Sequence, residues 1–278
     1  MNSFYGVLGT SACRFYDPRL TSSITRRGHE IIQRSKELVE REGYDVIYGD
    51  TDSLFVWLSS TSGEDDARII GQRLARILNE WWQETIMREH RLTSKLEIEF
   101  ETHYLKFLMP TVRGSGAGSK KRYAGMIRKS DKQLELVFKG LETVRTDWTP
   151  LAREFQQELF RRVFEGQPFT DYIIDIHNQL YQGQLDKKLV FRKQLRQPLE
   201  KYQRNIPPHA QAAKKMQKPG RWVEYLICKS GAEPIEIPGL IPDYDHYAER
   251  QLKPVADTIL TFLDTSYDAI IGGQLSMF

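Results

Sequence analysis

Apolar positions along this chain follow two rhythms, and the rhythm switches several times in the first half. Ile24, Ile31, Ile32, Leu38 and Val39 recur at helical spacing between Asp17-Pro18, a capping residue before a proline, and Gly43. That stretch predicts an amphipathic helix. Tyr44 to Tyr48 and Leu54 to Leu58 are short runs rich in β-branched and aromatic residues, and they flank Gly49-Asp50. They predict a β-hairpin with its turn at Gly-Asp. Ser62-Gly63-Glu64-Asp65 resembles a capping box and leads into Ala67, Ile70, Leu74, Ile77, Leu78 and Trp81, the stripe of a long helix. Leu96, Ile98 and Phe100 alternate with Glu97, Glu99 and Glu101, which predicts a half-buried strand with Tyr104 to Val112 as its neighbour. Gly114 to Ser119 reads as a flexible loop. Lys121 to Ile127 and Leu134 to Phe138 predict a second hairpin around Ser130-Asp131.

Composition shifts near Gly140. Thr149-Pro150 opens a helix with Leu151, Phe155, Leu159 and Val163 on one face, closed by Gly166. A second helix is expected from about Thr170 to Gln182. Pro198, Pro207, Pro208 and Pro219 break the segment that follows. Tyr244 to Ile271 reads as helical, with Pro254 kinking it or marking its start. No internal repeat is visible. The expected fold class is α+β: a lobe to about residue 140 with an antiparallel sheet and packed helices, then a mostly helical lobe.

The 278 residues, 40% hydrophobic and 28% charged, suffice for one large domain or two modest ones and exclude a disordered chain. A net charge of +3 says little by itself. Its distribution says more. From Lys187 to Lys229 there are twelve Lys and Arg, against only Glu200 and Glu224. From Ser230 onward acids dominate, with only Arg250 and Lys253 opposing them. One part of the second lobe is built to face a polyanion. Phe191, Tyr202 and Trp222 interleave with its basic residues, which favours sequence-independent, salt-sensitive contact with a phosphate backbone. Cys13 and Cys228 form neither a disulfide framework nor a zinc site. No apolar run approaches membrane-spanning length, and Met1 to Tyr5 lacks the pattern of a signal peptide. A cytoplasmic protein with no membrane partner is expected.

The candidate chemistry lies in Tyr48-Gly49-Asp50-Thr51-Asp52-Ser53, which sets two carboxylates two residues apart on a strand-supported turn. Carboxylates that close repel one another, and hard oxygen ligands clustered this way suit Mg²⁺ with room left for water and substrate phosphates. Asp also favours turns for backbone reasons alone, so an isolated Asp-x-Asp carries little. Glu97, Glu99 and Glu101 alternate as one exposed face and are read as structural, and the six histidines lack metal-ligand spacing.

The whole hexapeptide between two strands resembles the third conserved motif of the family B DNA polymerases. The likeness recurs in order along the chain. Asn2-Ser3-Phe4-Tyr5-Gly6 resembles the end of the family's fingers-helix motif. Lys120-Lys121-Arg122-Tyr123-Ala124-Gly125 resembles its Lys-Lys-x-Tyr motif, and Lys139-Gly140-Leu141-Glu142 its Lys-Gly-x-Glu motif where palm passes to thumb. Thr146-Asp147-Trp148 fits the bacterial branch. The motifs cover about the first half of the chain, and the rest matches only in character.

The resemblance implies a partial polymerase palm followed by a mostly helical thumb: residues 1–140 as fingers end and palm, 141–272 as thumb, 273–278 as a tail. It implies that Asp52 bridges two Mg²⁺ ions, with Mn²⁺ possible, and that Asp50 supports them in transfer of a nucleotide from a dNTP to a primer 3′-hydroxyl. Asn2, Tyr5 and Gly6 would lie beside the incoming nucleotide. Lys120, Lys121, Arg122, Tyr123, Lys139 and Arg145 would meet the primer-template DNA. Gln274-Leu275-Ser276-Met277-Phe278 resembles the pentapeptide by which bacterial polymerases dock on the sliding clamp. Leu275, Met277 and Phe278 would fill an apolar pocket, Gln274 would bond its rim, and Gly272-Gly273 would give mobility.

The family's site takes a further Asp from a palm strand upstream of the fingers helix, and this chain starts inside the fingers motif. The expectation is therefore a C-terminal palm and thumb piece, inactive alone, associated with a bacterial nucleoid. The absent palm strand would leave an exposed sheet edge open to self-association. The alternative from another class is a non-catalytic module that binds primer-template and clamp. A nucleotide cyclase with a similar hairpin leaves the thumb and tail unexplained.

Overall fold

The computed structural model describes residues 2–58, 63–110, 121–129, 133–145 and 148–275, with backbone alone at 2–4, 50, 274 and 275. The loop expected at 114–119 and the hairpin tip at 130–131 lie outside the described residues. The chain divides into two compact units, residues 1–103 and 104–278.

In the first unit, helix α1 spans Asn2–Leu8 and α2 Pro18–Arg41. The Asp17 carboxylate caps α2 by accepting from the Arg19 amide at 2.8 Å, as the Asp-Pro signal predicts. Strands β1 (Val46–Asp50) and β2 (Ser53–Val56) form the expected hairpin. Helix α3 spans Glu64–His90. Its capping contact runs from the Gly63 amide to the Asp66 carboxylate at 3.3 Å, while Ser62 lies outside the described residues. Val39 of α2 and Leu74 and Leu78 of α3 are buried together against Val46, Val56 and Ile98. Trp82 donates its indole N–H to the buried Ser35 hydroxyl at 2.8 Å, joining α2 to α3.

The strand expected at Leu96 to Phe100 is not one among the described residues. The burial alternation is there, with Leu96, Ile98 and Phe100 half-buried and the glutamates exposed. The segment pairs with an amide instead of a strand. Asn79 on α3 donates to the Ile98 carbonyl at 2.8 Å and accepts from its N–H at 2.9 Å. One side chain thus meets the backbone demand that a ladder would otherwise meet.

In the second unit, β3 (Lys106–Leu108), β4 (Tyr123–Arg128) and β5 (Leu134–Lys139) form an antiparallel sheet in that order. The segment after Tyr104 therefore pairs with β4 and not with residues 96–100. Helix α4 (Pro150–Glu165) starts at Thr149, whose hydroxyl accepts from the Ala152 amide at 3.2 Å, and it ends at Gly166. Helix α5 spans Thr170–Tyr181. Phe155, Leu159, Phe160, Ile173 and Leu180 from these helices join Leu252, Ile259 and Leu260 in the main core.

A second sheet follows, which the proline-punctuated sequence did not announce. Strands β6 (Phe191–Gln194), β7 (Trp222–Cys228) and β8 (Gly231–Pro234) are antiparallel neighbours in that order, and helix α6 (Pro208–Lys215) packs on them. Ala212, Ala213, Val223, Tyr225 and Ala232 make its small core. The prolines fall between these strands or, at Pro234, on the last residue of an edge strand, where no ladder bond is lost.

The acidic end is helical in pieces: α7 (Tyr244–Tyr247), a π turn at Ala248–Leu252, α8 (Lys253–Leu260) and α9 (Tyr267–Leu275). Pro254 has no N–H for the Arg250 carbonyl and its ring would clash there, so the helix widens. The Gln251 amide donates to the Arg250 carbonyl at 3.3 Å, and its oxygen accepts from the Thr149 hydroxyl at 3.0 Å. Gly272 and Gly273, expected to form a mobile linker, stand inside α9. The class is α+β as expected: small antiparallel sheets packed on helices, then a mostly helical C-terminal region that fits a palm and thumb. Among the described residues no helix is long and apolar enough to cross a membrane.

Arg34 on α2 lies over Trp81 and Trp82 at 5.0 and 5.3 Å and donates to both oxygens of Glu89 on α3 at 2.9 and 2.7 Å. The hydrogen bonds from Arg34 hold the Glu89 carboxyl down at about 2, from an ordinary value of 4.5. A depressed carboxylate stabilises the fold above its unfolded value and ceases to do so as pH falls through the folded one. The melting-temperature gap between the parent chain and Glu89→Gln is therefore expected to be constant above about pH 5 and to close between 4.5 and 2. Thermal denaturation across that range checks it, and a gap that stays open at pH 2 refutes it.

Candidate functional site

The acidic hairpin closes one step later than its sequence suggests. The register pairs Asp50 with Ser53, Gly49 with Leu54 and Tyr48 with Phe55, so Gly49 and Asp50 belong to β1 and the turn is Thr51-Asp52. Gly49 serves packing and not the turn. A Cβ there would lie 3.3 Å from both the Ile32 side chain of α2 and Leu54, so a bare backbone lets the helix settle against the strand. Thr51 carries the left-handed conformation that a two-residue loop demands, at φ 54. For a β-branched residue that is strained backbone.

Asp52 is exposed at this turn, and the Ser53 hydroxyl reaches its Oδ1 at 3.4 Å. The Asp50 side chain lies outside the described residues. The donors fit a divalent cation in kind, being hard oxygens on a braced turn. Among the described residues, which leave out the Asp50 side chain, no group of three or more His, Cys, Asp or Glu is placed to hold a metal. Tyr5 and Gly6 stand on α1. Tyr5 is exposed and lines an open groove with Thr21, Ser22, Thr25, Arg26 and His29 of α2, and no atom lies within 4 Å of a Cβ built on Gly6. The side chain of Asn2 is outside the described residues.

In the second unit, the structure joins two motifs that stand apart in sequence. Tyr123 at the start of β4 pairs with Lys139 at the end of β5. Gly140 follows at φ 62, and a Cβ on it would fall 2.2 Å from the Lys121 carbonyl oxygen. Lys121 itself is left-handed at φ 66, and Lys121, Lys139 and Arg145 are exposed. Arg122 instead turns inward to an ion pair with Glu142, and the Tyr123 ring packs on Phe107 at 5.2 Å and Tyr104 at 6.2 Å. Lys120, Thr146 and Asp147 lie outside the described residues. Of the three aromatics among the basic residues, only Trp222 is a surface group: it is half-exposed, with Arg192 over its ring at 4.9 Å. Phe191 is stacked in the core against Tyr225 and Tyr247, and the Tyr202 hydroxyl accepts from the Arg196 amide at 3.3 Å. Gln274 and Leu275 end α9 in backbone, and Ser276, Met277 and Phe278 lie outside the described residues.

The sequence reading named Glu142 in its motif but missed Gln156 as its partner. The Gln156 side chain, buried on α4, donates to Glu142 at 2.8 Å and accepts from Thr143. Its spacing with Ala152 and Phe160 was the available signal, because a polar residue on a buried stripe needs a partner.

The family model described as DNA polymerase family B matches residues 1–260. DNA polymerase II of Escherichia coli (strain K12) is 53% identical over 290 residues, covering 100% of this chain and 37% of that protein. The DNA polymerase alpha catalytic subunit of Drosophila melanogaster is 27% identical over 310 residues, covering 99% of the chain and 20% of the subunit. A DNA polymerase of Pyrococcus horikoshii is 25% identical over 278 residues, covering 93% and 21%. The chain thus spans 37% or less of the length of these relatives.

Gly140→Ala brings a Cβ against the Lys121 carbonyl and strains a left-handed residue, so it is expected to destabilise the second unit by about 2 kcal/mol or more. Gly166→Ala is the control, since Gly166 is also left-handed at φ 71 but has nothing within 4 Å of its Cβ position. It is expected to cost about 1 kcal/mol. Urea denaturation of both variants checks the order; equal losses would mean that the close approach at Gly140 carries no weight.

Proposed function

The chain belongs to DNA polymerase family B, and from that premise we propose that it forms palm and thumb of a DNA-directed DNA polymerase. The observation that carries this reading is Asp52 on a tight, helix-braced turn, two residues beyond Asp50 at the end of β1. In the proposed division, residues 1–140 are the end of the fingers and the palm, 141–272 the thumb, and 273–278 a clamp-binding tail.

Asp52, with Asp50 supporting it, would hold two Mg²⁺ ions that activate the primer 3′-hydroxyl and neutralise the leaving pyrophosphate. What the chain itself supplies is position. The packing of Ile32 and Leu54 on Gly49 braces the end of β1 that leads into the Thr51-Asp52 turn, so little reorganisation is needed when charge develops. Asn2, Tyr5 and Gly6 would border the incoming dNTP. Lys121, beside the Tyr123–Lys139 pair, would meet the minor groove at the primer end, where acceptors occur at every base pair and contact is independent of sequence. Lys120, Arg122, Tyr123, Lys139 and Arg145 would line the same strand, with Arg122 acting through Glu142. The basic residues of β6 and α6, with Arg221 just before β7 and Lys229 just after it, would follow the phosphate backbone.

A second reading, a non-catalytic module for primer-template and clamp, needs only the basic surface and the tail and no metal site. Enzymology separates the two. These 278 residues alone are expected to bind a primed template and not to extend it. Supplied with a family B polypeptide that carries the fingers helix and the palm-strand Asp, they are expected to extend it. There Asp52→Asn lowers nucleotide incorporation about 10³-fold while primed-template affinity stays within about threefold. Unchanged incorporation by Asp52→Asn refutes this assignment; robust extension by the isolated chain refutes only the expectation that it is inactive alone.

For the tail, truncation before Gln274 is expected to abolish binding to a bacterial sliding clamp and to leave primer-template affinity within about twofold. Surface plasmon resonance on immobilised clamp decides the matter, and undiminished clamp binding by the truncated chain excludes the docking role.

A further inference from the structure

Gln156 is fully buried on α4, at 0% exposure. A buried amide is costly unless its polar atoms are matched. Its Oε1 accepts from the Thr143 amide at 2.7 Å and the Thr143 hydroxyl at 2.6 Å, and its Nε2 donates to Glu142 Oε2 at 2.8 Å. The orientation of the amide follows from its neighbours, because a backbone N–H can only donate and a carboxylate only accepts. Glu142 is also buried, and its other oxygen holds the Arg122 guanidinium. Arg122 adjoins Lys121, whose left-handed backbone lies against Gly140. A continuous set of contacts thus runs from α4 through Glu142 and Arg122 to the Lys121 turn.

Space-filling does not account for a glutamine here. An apolar side chain of similar volume would fill the site but would leave the Thr143 amide and one Glu142 oxygen buried without partners. We propose that Gln156 is a positioning residue that sets the geometry of the Lys121 turn, so that α4 and the turn move as one piece. What the turn touches, the primer end, rests on the polymerase reading above. How the turn is held rests on these contacts alone.

A double-mutant cycle in the whole chain tests the proposal. Gln156→Glu sets two carboxylates face to face, and Glu142→Gln sets two amide N–H groups face to face. The double variant Glu142→Gln/Gln156→Glu restores every pairing: the exchanged carboxylate accepts from Thr143 and from the exchanged amide, whose oxygen accepts from Arg122. Each single change is expected to speed amide hydrogen exchange at residues 121–123 about tenfold or more and to weaken primed-template binding about tenfold. The double variant is expected to return both to within about threefold of the parent. The proposal is overturned if the single variants keep parental exchange at 121–123, if they exchange faster without losing affinity, or if a folded double variant still exchanges fast. Should a single variant fail to fold, the double variant decides by the same two readouts. A parent chain that binds no primed template, with exchange at 121–123 raised in the single variants and restored in the double, rejects the polymerase reading while the role of Gln156 stands.

Discussion

Both candidate functional segments depend on backbone coming into contact where no side chain intervenes. At Gly49, Ile32 of α2 and Leu54 of β2 come so close that a Cβ would lie 3.3 Å from each side chain. At Gly140, the Lys121 carbonyl comes closer still. In each case the glycine adjoins a residue of the proposed site, Asp50 at Gly49 and Lys139 at Gly140. The glycine gives up burial of its own and allows close packing that anchors its neighbours. Carboxylates on a loosely held turn would lose in reorganisation what they gain in charge. The same holds for a lysine at the end of a frayed strand.

Much of this was legible because its causes are local. Asp17-Pro18 and Thr149-Pro150 set helix starts through bonds to amides two and three residues on, and the structure has both. The α+β class followed from the change of rhythm near Gly140. Features whose causes are tertiary were misread. Gly49-Asp50 has the composition of a turn, yet Gly49 answers to Ile32 on a distant helix, and the turn falls on Thr51-Asp52. Leu96 to Phe100 has the alternation of a strand, but alternation reports burial, and here Asn79 supplies the bonds. The sheet of β6, β7 and β8 was hidden because prolines separating its strands resembled disruption. Of the site, the motifs were visible in sequence. Their union through Tyr123 and Lys139 was not, because register is fixed only when strands pair.

Charge in the second unit is handled in two ways. On the β6–β7 surface, Arg192 lies over Trp222 and near Glu224 at 3.5 Å, solvated and available for exchange with other anions. Around Glu142 the carboxylate is buried, its partner Arg122 is part-buried, and each oxygen has a donor. Enclosed pairs of this sort add specificity more than stability, since apolar residues could fill the volume at less cost in desolvation. The thumb-like helices therefore meet the sheet through directional bonds at Glu142 and through the ordinary apolar core elsewhere.

The clamp of Asn79 on Ile98 leaves a further mark on the first unit. An extended stretch held by one amide is a template on which an identical stretch from another molecule could lay itself down. Glu97, Glu99 and Glu101 stand exposed along it. In either strand direction a matching copy centred on Glu99 would bring acid opposite acid about 5 Å away, a destabilising arrangement. Acids at this spacing disfavour such self-pairing, and concentrated salt would screen their repulsion.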